Sequence, residues 1–431
     1  MPPLTGTSAR GRRSRALAIL LATVALLTTL CAAGALARQP ARHGHRRRAH
    51  HRHGQARHTR RQAATSTPVP QGFVGVDADG PLLDPTTGIS LTGQIRTMVS
   101  SGVQSIRVAF SWSQAQPYSS WSQVPAANTA QFTDVGGRPY DFQLTDEIVG
   151  AAARARISVL PTVLYAPEWD AVQNPAGVAF PRTYGPYAAY LTALIGRYGP
   201  HGSFWSANPG LPRMPIRAWQ VWNEENLAYY WRQPFARTYA QFLRVAHAAI
   251  ERADPGAKVV LGALTNAAWH SLGQLYRVPS ARRLFDVVAV NGFTKRPAYV
   301  IVYLQLMRRA MDHFHDGAKP LLATEVSWPS ALGRVSSGFD FDTTQAGQAR
   351  NLATLLPMLG AQRRALGLTG FYWYTWIGAE QAGAQPFDYA GLERYSGGQV
   401  IAKPALRAFT IAALALERCR RKGVVATGCI R

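Results

Sequence analysis

Ile216-Arg217-Ala218-Trp219-Gln220-Val221-Trp222-Asn223-Glu224-Glu225-Asn226 passes from an apolar run straight into a cluster of amides and carboxylates. The run 216–221 has the length and composition of a buried β-strand. Downstream, over 236–252, Tyr239, Phe242, Leu243, Ala246 and Ile250 recur at the spacing of one helix face. A second apolar run follows at 258–264. Strand, helix and strand in that order form a unit whose strands lie parallel, joined by a right-handed crossover.

Working outward, the same alternation fills most of the chain. Further strands are predicted at 73–76, 105–110, 157–163, 285–290, 320–323 and 369–374, making eight in all. A helical face, Leu144, Ile148, Val149 and Ala152, lies within 141–155. Eight such units in about 340 residues suit a closed barrel better than an open sheet. The predicted fold class is therefore α/β, a (β/α)8 TIM barrel forming a single domain over 71–413, with a tail at 414–431.

The amino-terminal part reads differently. Arg10, Arg12, Arg13 and Arg15 precede an uncharged, mostly apolar stretch, 16–37, that closes on Ala35-Leu36-Ala37, a small-x-small pattern. Residues 1–37 are thus expected to be a signal peptide or, since about 20 apolar residues span a bilayer, a membrane anchor through 16–37. Either reading makes the protein secreted or cell-surface. Residues 38–70 are rich in Arg, His, Ala and Gln and hold six of the eleven histidines. They lack apolar periodicity and are predicted to be a disordered linker. Its 38–61 portion could contact anionic envelope polymers.

The formal charge of +24 invites a nucleic-acid reading. Thirteen arginines and no acidic residue lie in 1–70, however, so +24 less 13 leaves +11 for the remainder. The body of the chain shows no basic helix, zinc-finger spacing or RNA-binding aromatic motif, and no nucleic-acid partner is expected. Of the three cysteines, Cys31 lies in the export segment. Cys419 and Cys429 are expected either to close the tail as a disulfide, as an even pair in an exported protein would, or to remain free thiols. No spacing suggests a metal site, and no cofactor is expected.

In such a barrel the functional residues stand at the carboxyl ends of the strands. The fourth run ends on Asn223-Glu224-Glu225 and the seventh on Thr324-Glu325-Val326-Ser327-Trp328. Each places a carboxylate where the chain leaves the barrel, beside tryptophan. Glu225, as the residue after Glu224, is expected in the loop or behind the site.

This pattern resembles glycoside hydrolase clan A, in particular the cellulase-like and β-xylosidase-like families 5 and 39, over roughly 72–413. The resemblance implies a single catalytic domain with Glu224 as general acid/base and Glu325 as nucleophile of a retaining β-glycosidase. Ser105-Ile106-Arg107 resembles the segment whose Arg supports the nucleophile, and Asn223 is implied as a contact to the sugar 2-hydroxyl. Phe371-Tyr372-Trp373-Tyr374-Thr375-Trp376 resembles the aromatic eighth strand, which implies that Trp376 stacks on the sugar beside the scissile bond. Trp169 and Trp328, with Trp112, Tyr165 and Trp222, are further candidates to line the cleft. One departure is visible. Similar enzymes often carry His-x-Tyr after strand six, and here Asn291-Gly292-Phe293 stands there. Phe293 cannot donate a hydrogen bond to the nucleophile, so support must come from Arg107 or elsewhere.

The expected substrate is an oligo- or polysaccharide of the cell envelope or the medium, cleaved without metal or organic cofactor. Two readings compete with hydrolysis. Transglycosylation shares the covalent intermediate and differs in the acceptor. A non-catalytic carbohydrate-binding barrel tethered to the envelope would not require both carboxylates.

Overall fold

A computed structural model of the protein describes residues 68–430 apart from 337 and 382. The expected export segment 1–37 and most of the Arg/His-rich linker lie outside the described residues. Numbering only the barrel elements, the strands are β1 (Val74–Ala78), β2 (Ser105–Ser111), β3 (Ser158–Leu164), β4 (Ala218–Val221), β5 (Lys258–Leu261), β6 (Val288–Asn291), β7 (Leu321–Val326) and β8 (Leu368–Trp373). The helices between and after them are α1 (Leu91–Ser100), α2 (Gln143–Arg154), α3 (Gly185–Tyr198), α4 (Phe235–Ala253), α5 (Ala268–Tyr276), α6 (Pro297–His313), α7 (Gln345–Leu366) and α8 (Pro404–Glu417).

The strands are parallel in the spatial order β6-β7-β8-β1-β2-β3-β4-β5. Isolated parallel bridges, Val260 with Val287 and Leu264 with Val290, bring β5 to β6 and nearly close the ring. This is the (β/α)8 barrel expected from the alternation of apolar runs and amphipathic helices. The observed β7 runs to Val326, three residues beyond the predicted run, so Glu325 lies within the strand opposite Asn291 of β6.

Two apolar layers hold the barrel. The larger lies between strands and helices; on α4, Tyr239, Phe242, Leu243, Ala246 and Ile250 are all buried against it. The smaller fills the barrel interior with Leu160, Val260, Ala263, Val287, Ala289 and Tyr372. Gly75 is required by that plug: a Cβ there would stand 2.4 Å from the Tyr372 ring. Alternation along a strand puts residues two apart on one face. The positions above the plug, Asp77, Arg107 and Gln220, therefore also point inward, and all three are buried.

Helix ends are set locally. Ser90 caps α1 by accepting from the Gly93 amide at 3.1 Å, and Thr344 caps α7 through Gly347 at 3.1 Å. α7 stops at Gly367, whose φ of +58° is the left-handed conformation that glycine tolerates best. After α8 the chain forms a small antiparallel pair, Arg421–Lys422 with Cys429–Ile430. Cys419 and Cys429 are joined there as a disulfide with Cα atoms 5.4 Å apart. The tail docks on the barrel floor, where the Ala426 amide donates to Ala155 O at 2.8 Å. Among the described residues no helix is long and apolar enough to cross a membrane.

Candidate active site

The centre of the barrel mouth is organised by one guanidinium. Arg107 of β2 is 5% exposed and uses four of its five N–H donors on four residues of three strand ends, β1, β4 and β7. Nε donates to Gln220 Oε1 of β4 at 2.7 Å. Nη1 donates to Asp77 Oδ1 of β1 and to Glu325 Oε1 of β7, both at 2.7 Å. Nη2 donates to Asn223 Oδ1 at 2.8 Å, just beyond β4. Gln220 is itself oriented by Thr162 Oγ1 at 3.0 Å and by donating to Leu261 O at 3.1 Å. The planar fork of an arginine suits this fan, whereas a lysine offers a single point charge.

Glu224 is delivered by an irregular backbone. Trp222 and Glu224 both have positive φ, +71° and +44°, which for residues with a Cβ costs on the order of 1–3 kcal/mol each. The surrounding structure holds them there. The Glu224 amide donates to Ala263 O at 3.2 Å, and the buried Trp222 indole donates to Tyr230 O at 2.9 Å. The result turns the Glu224 side chain toward β6, where Asn291 Nδ2 donates to Glu224 Oε1 at 2.8 Å. Thr324 Oγ1 donates in turn to Asn291 Oδ1 at 2.9 Å, which fixes the amide's orientation.

The two carboxyls are in unlike electrostatic settings. Burial, and then the negative charge of Glu325, push Glu224 up to about 8; the Asn291 amide and Arg107 oppose the shift. Burial also raises Glu325, but Arg107 in direct hydrogen-bond contact pulls it back toward the ionised form. Asp77, behind Arg107, is raised well above its ordinary value, with burial the main cause. At neutral pH Glu224 therefore carries a proton, while Glu325 has a cation at 2.7 Å.

No protein-family model matches the sequence, and no curated protein matches it. Solved structures do. A family 39 β-xylosidase from Caulobacter crescentus superimposes with a TM-score of 0.55 at 19% identity, covering 80% of this chain and 72% of that one. The catalytic domain of a family 53 protein from Ignisphaera aggregans gives 0.53 at 19% identity, covering 80% and 99%. An exo-β-1,4-mannosidase from an Opitutaceae bacterium gives 0.53 at 15% identity, covering 82% and 62%. These likenesses show a shared (β/α)8 barrel fold.

The barrel brings Glu224, Glu325, Arg107 and Asn223 together, the four polar site residues predicted. Asn223 Oδ1 is taken by Arg107, which directs its Nδ2 away from the guanidinium. The tryptophans are placed differently. Trp376 is wholly buried with its indole N–H on Gln94 Oε1 of α1 at 2.8 Å, so it has no open face for a sugar. Trp328 is also wholly buried and donates to Thr294 O at 2.6 Å. Trp169 is half-buried; it donates to Gln116 O at 2.9 Å and lies edge-on to Trp112 at 5.5 Å. These large rings close the packing between strands and helices.

Half-buried tyrosines, Tyr165 of the predicted set and Tyr230 and Tyr374 beside it, take the place assigned to them. Tyr165, Tyr230 and Tyr374 are each shifted upward by burial and also by the negative charge of Glu325, so all three face the carboxylates. Phe293 does not reach the nucleophile. It stacks on Phe341 at 5.6 Å and meets Phe387 at 4.9 Å, forming an apolar wall beside Tyr374. Asp77, Gln220 and Asn291 were not singled out for the site from the sequence. Their signal was present, as polar residues at inward positions of otherwise apolar strands. Glu225 is fully buried behind the site with both carboxyl oxygens unpartnered, against Gly262. Among the described residues no group of three or more His, Cys, Asp or Glu is placed to hold a metal ion.

Proposed function

We propose that the protein is a retaining O-glycoside hydrolase that cleaves β-linked oligo- or polysaccharide by double displacement. The observation that carries this reading is the pair Glu224 and Glu325 at the ends of β4 and β7, one held protonated and the other bonded to Arg107. In the first step Glu325 attacks the anomeric carbon and forms a glycosyl ester. The bond to the leaving oxygen breaks as Glu224 transfers its proton to that oxygen. In the second step Glu224, now ionised, takes a proton from water, whose oxygen attacks the anomeric carbon and releases Glu325. Asn223 Nδ2 is available to the sugar 2-hydroxyl, and Tyr165, Tyr230 and Tyr374 to its faces and hydroxyls. The substrate is met outside the cytoplasm, after export directed by 1–37, with 38–61 retaining the enzyme at anionic envelope polymers.

Digestion of a panel of polysaccharides and aryl β-glycosides tests this reading. Glu325→Ala should lower turnover by about 10⁴-fold while the fold persists. Added azide should restore turnover of aryl glycosides and give the glycosyl azide of inverted configuration, since the small anion occupies the space of the lost carboxylate. Wild-type activity in Glu325→Ala would refute the assignment.

A further inference from the structure

A third acidic side chain borders the candidate site and has no part in the double displacement. Asp77 lies in β1 and Asp79 follows the strand's last residue in extended backbone, so alternation continues and puts both on the inward face, Asp79 one step nearer the mouth. Asp77 shares the Nη1 of Arg107 with Glu325, which puts Asp79 on the nucleophile's side of the barrel. The two differ in exposure: Asp77 is buried and Asp79 half-buried.

Asp79 is held firmly but not neutralised. Thr375 Oγ1 donates to Asp79 Oδ1 and, at 2.9 Å, to Asp77 O. Thr375 and Tyr374 both favour the ionised form of Asp79, against the opposing effect of burial. The cation that acts on Asp79 is Arg107, and four of its five N–H donors are already engaged by Asp77, Glu325, Gln220 and Asn223. The charge of Asp79 reaches Glu325, Tyr165 and Tyr374, the groups that surround the reacting position. One step below, Asp77 Oδ2 is buried without a hydrogen-bond partner behind Arg107, out of a sugar's reach.

We propose that Asp79 is a specificity-determining residue that accepts hydrogen bonds from the hydroxyls of the sugar bound beside Glu325 and excludes sugars bearing an acidic group. This inference rests on the glycosidase reading above. A neutral sugar brings hydroxyl donors to this acceptor, and charge-assisted bonds to a carboxylate are the strong kind. A uronate would set a third negative charge beside Asp79 and Glu325, where the guanidinium of Arg107 already serves Asp77 and Glu325. Within a few ångströms at the effective dielectric of a protein site, that repulsion amounts to at least about 100-fold in binding.

The test compares wild type, Asp79→Asn and Asp79→Ser on the neutral aryl β-glycoside that the panel identifies and on its C6-carboxylate counterpart. Wild type should favour the neutral sugar by at least about 100-fold in kcat/KM. Asp79→Asn should raise KM for the neutral glycoside roughly 10- to 100-fold, change kcat less, and shrink the discrimination at least about tenfold. Asp79→Ser should also lose the discrimination, having neither charge nor amide. An Asp79→Asn enzyme with unchanged KM and unchanged discrimination would overturn the proposal while leaving the glycosidase reading intact. So would a wild type that prefers the uronide, or the failure of both variants to fold, which would make Asp79 structural. Wild type without activity on any glycoside would overturn both readings.

Discussion

Asn291 donates its side-chain amide to Glu224 Oε1 at 2.8 Å and also lowers the proton affinity of Glu325, so one amide at the end of β6 serves both carboxyls. It stands two positions before Phe293, where similar enzymes often place a tyrosine. Phe293 can make no such contact, and the hydrogen bonds to the two carboxyls come from Asn291 and Arg107.

The pH dependence of kcat/KM should be bell-shaped. Its basic limb should lie near pH 8, because Glu224 must carry the proton it transfers and is pushed up to about 8. Asn291→Ala removes a bond that favours the ionised form of each carboxyl. Both limbs should then move to higher pH, with a loss of roughly 10-fold or more at the optimum. A limb that stays in place or moves down would show that the amide does not govern the pair.

Arg107→Lys should cut kcat by about 100-fold or more with a smaller change in KM, since one ammonium cannot satisfy four acceptors on three strand ends. Arg107→Met should cost about 3–5 kcal/mol of stability, because Asp77 and Glu325 would remain buried without their cation. Steady-state kinetics and thermal unfolding check the two effects separately.

Gly262 and Glu225 should prove energetically coupled. A Cβ at position 262 would meet Glu225 Oε2 at 2.2 Å and Tyr239 Oη at 3.0 Å, so Gly262→Ala should destabilise by about 1–3 kcal/mol. In a Glu225→Ala background most of that loss should vanish, which a double-mutant cycle measures. Glu225 also contributes a pH term. Its folded value is raised well above 4.5, so its contribution is fully present below about pH 4.5 and is lost as pH rises through the raised value. Glu225→Gln should flatten the fall in unfolding temperature as pH rises above about 4.5; an unchanged slope would assign that fall to other groups.

Cys429→Ser should lower stability by about 2–3 kcal/mol, the loop-closure value for cysteines ten residues apart. Activity on a soluble substrate should be unchanged, because the tail docks at Ala155 on the floor of the barrel and the carboxylates stand at its mouth. A parallel loss of turnover would link the floor to the site.

The barrel was legible in the sequence because each strand is a short apolar run and each helix a one-sided apolar face, and such local periodicities survive without tertiary information. Glu224 and Glu325 were legible for a related reason, as carboxylates directly after apolar runs. Their company was not. Arg107 meets Gln220 and Glu325 across 113 and 218 residues of chain, and only closure of the ring makes those contacts. The tryptophans misled because a large aromatic after a strand is equally suited to a cleft or to the packing above the barrel. Trp376 turned outward to Gln94, leaving Tyr374, two residues earlier, beside the carboxylates. The sequence by itself determined which elements form and which strands end in acids. The tertiary structure alone decided which side of each ring faces the mouth, which amide serves the carboxyls, and how far burial shifts each carboxyl. Those outcomes depend on neighbours contributed by other strands, and no local pattern carries them.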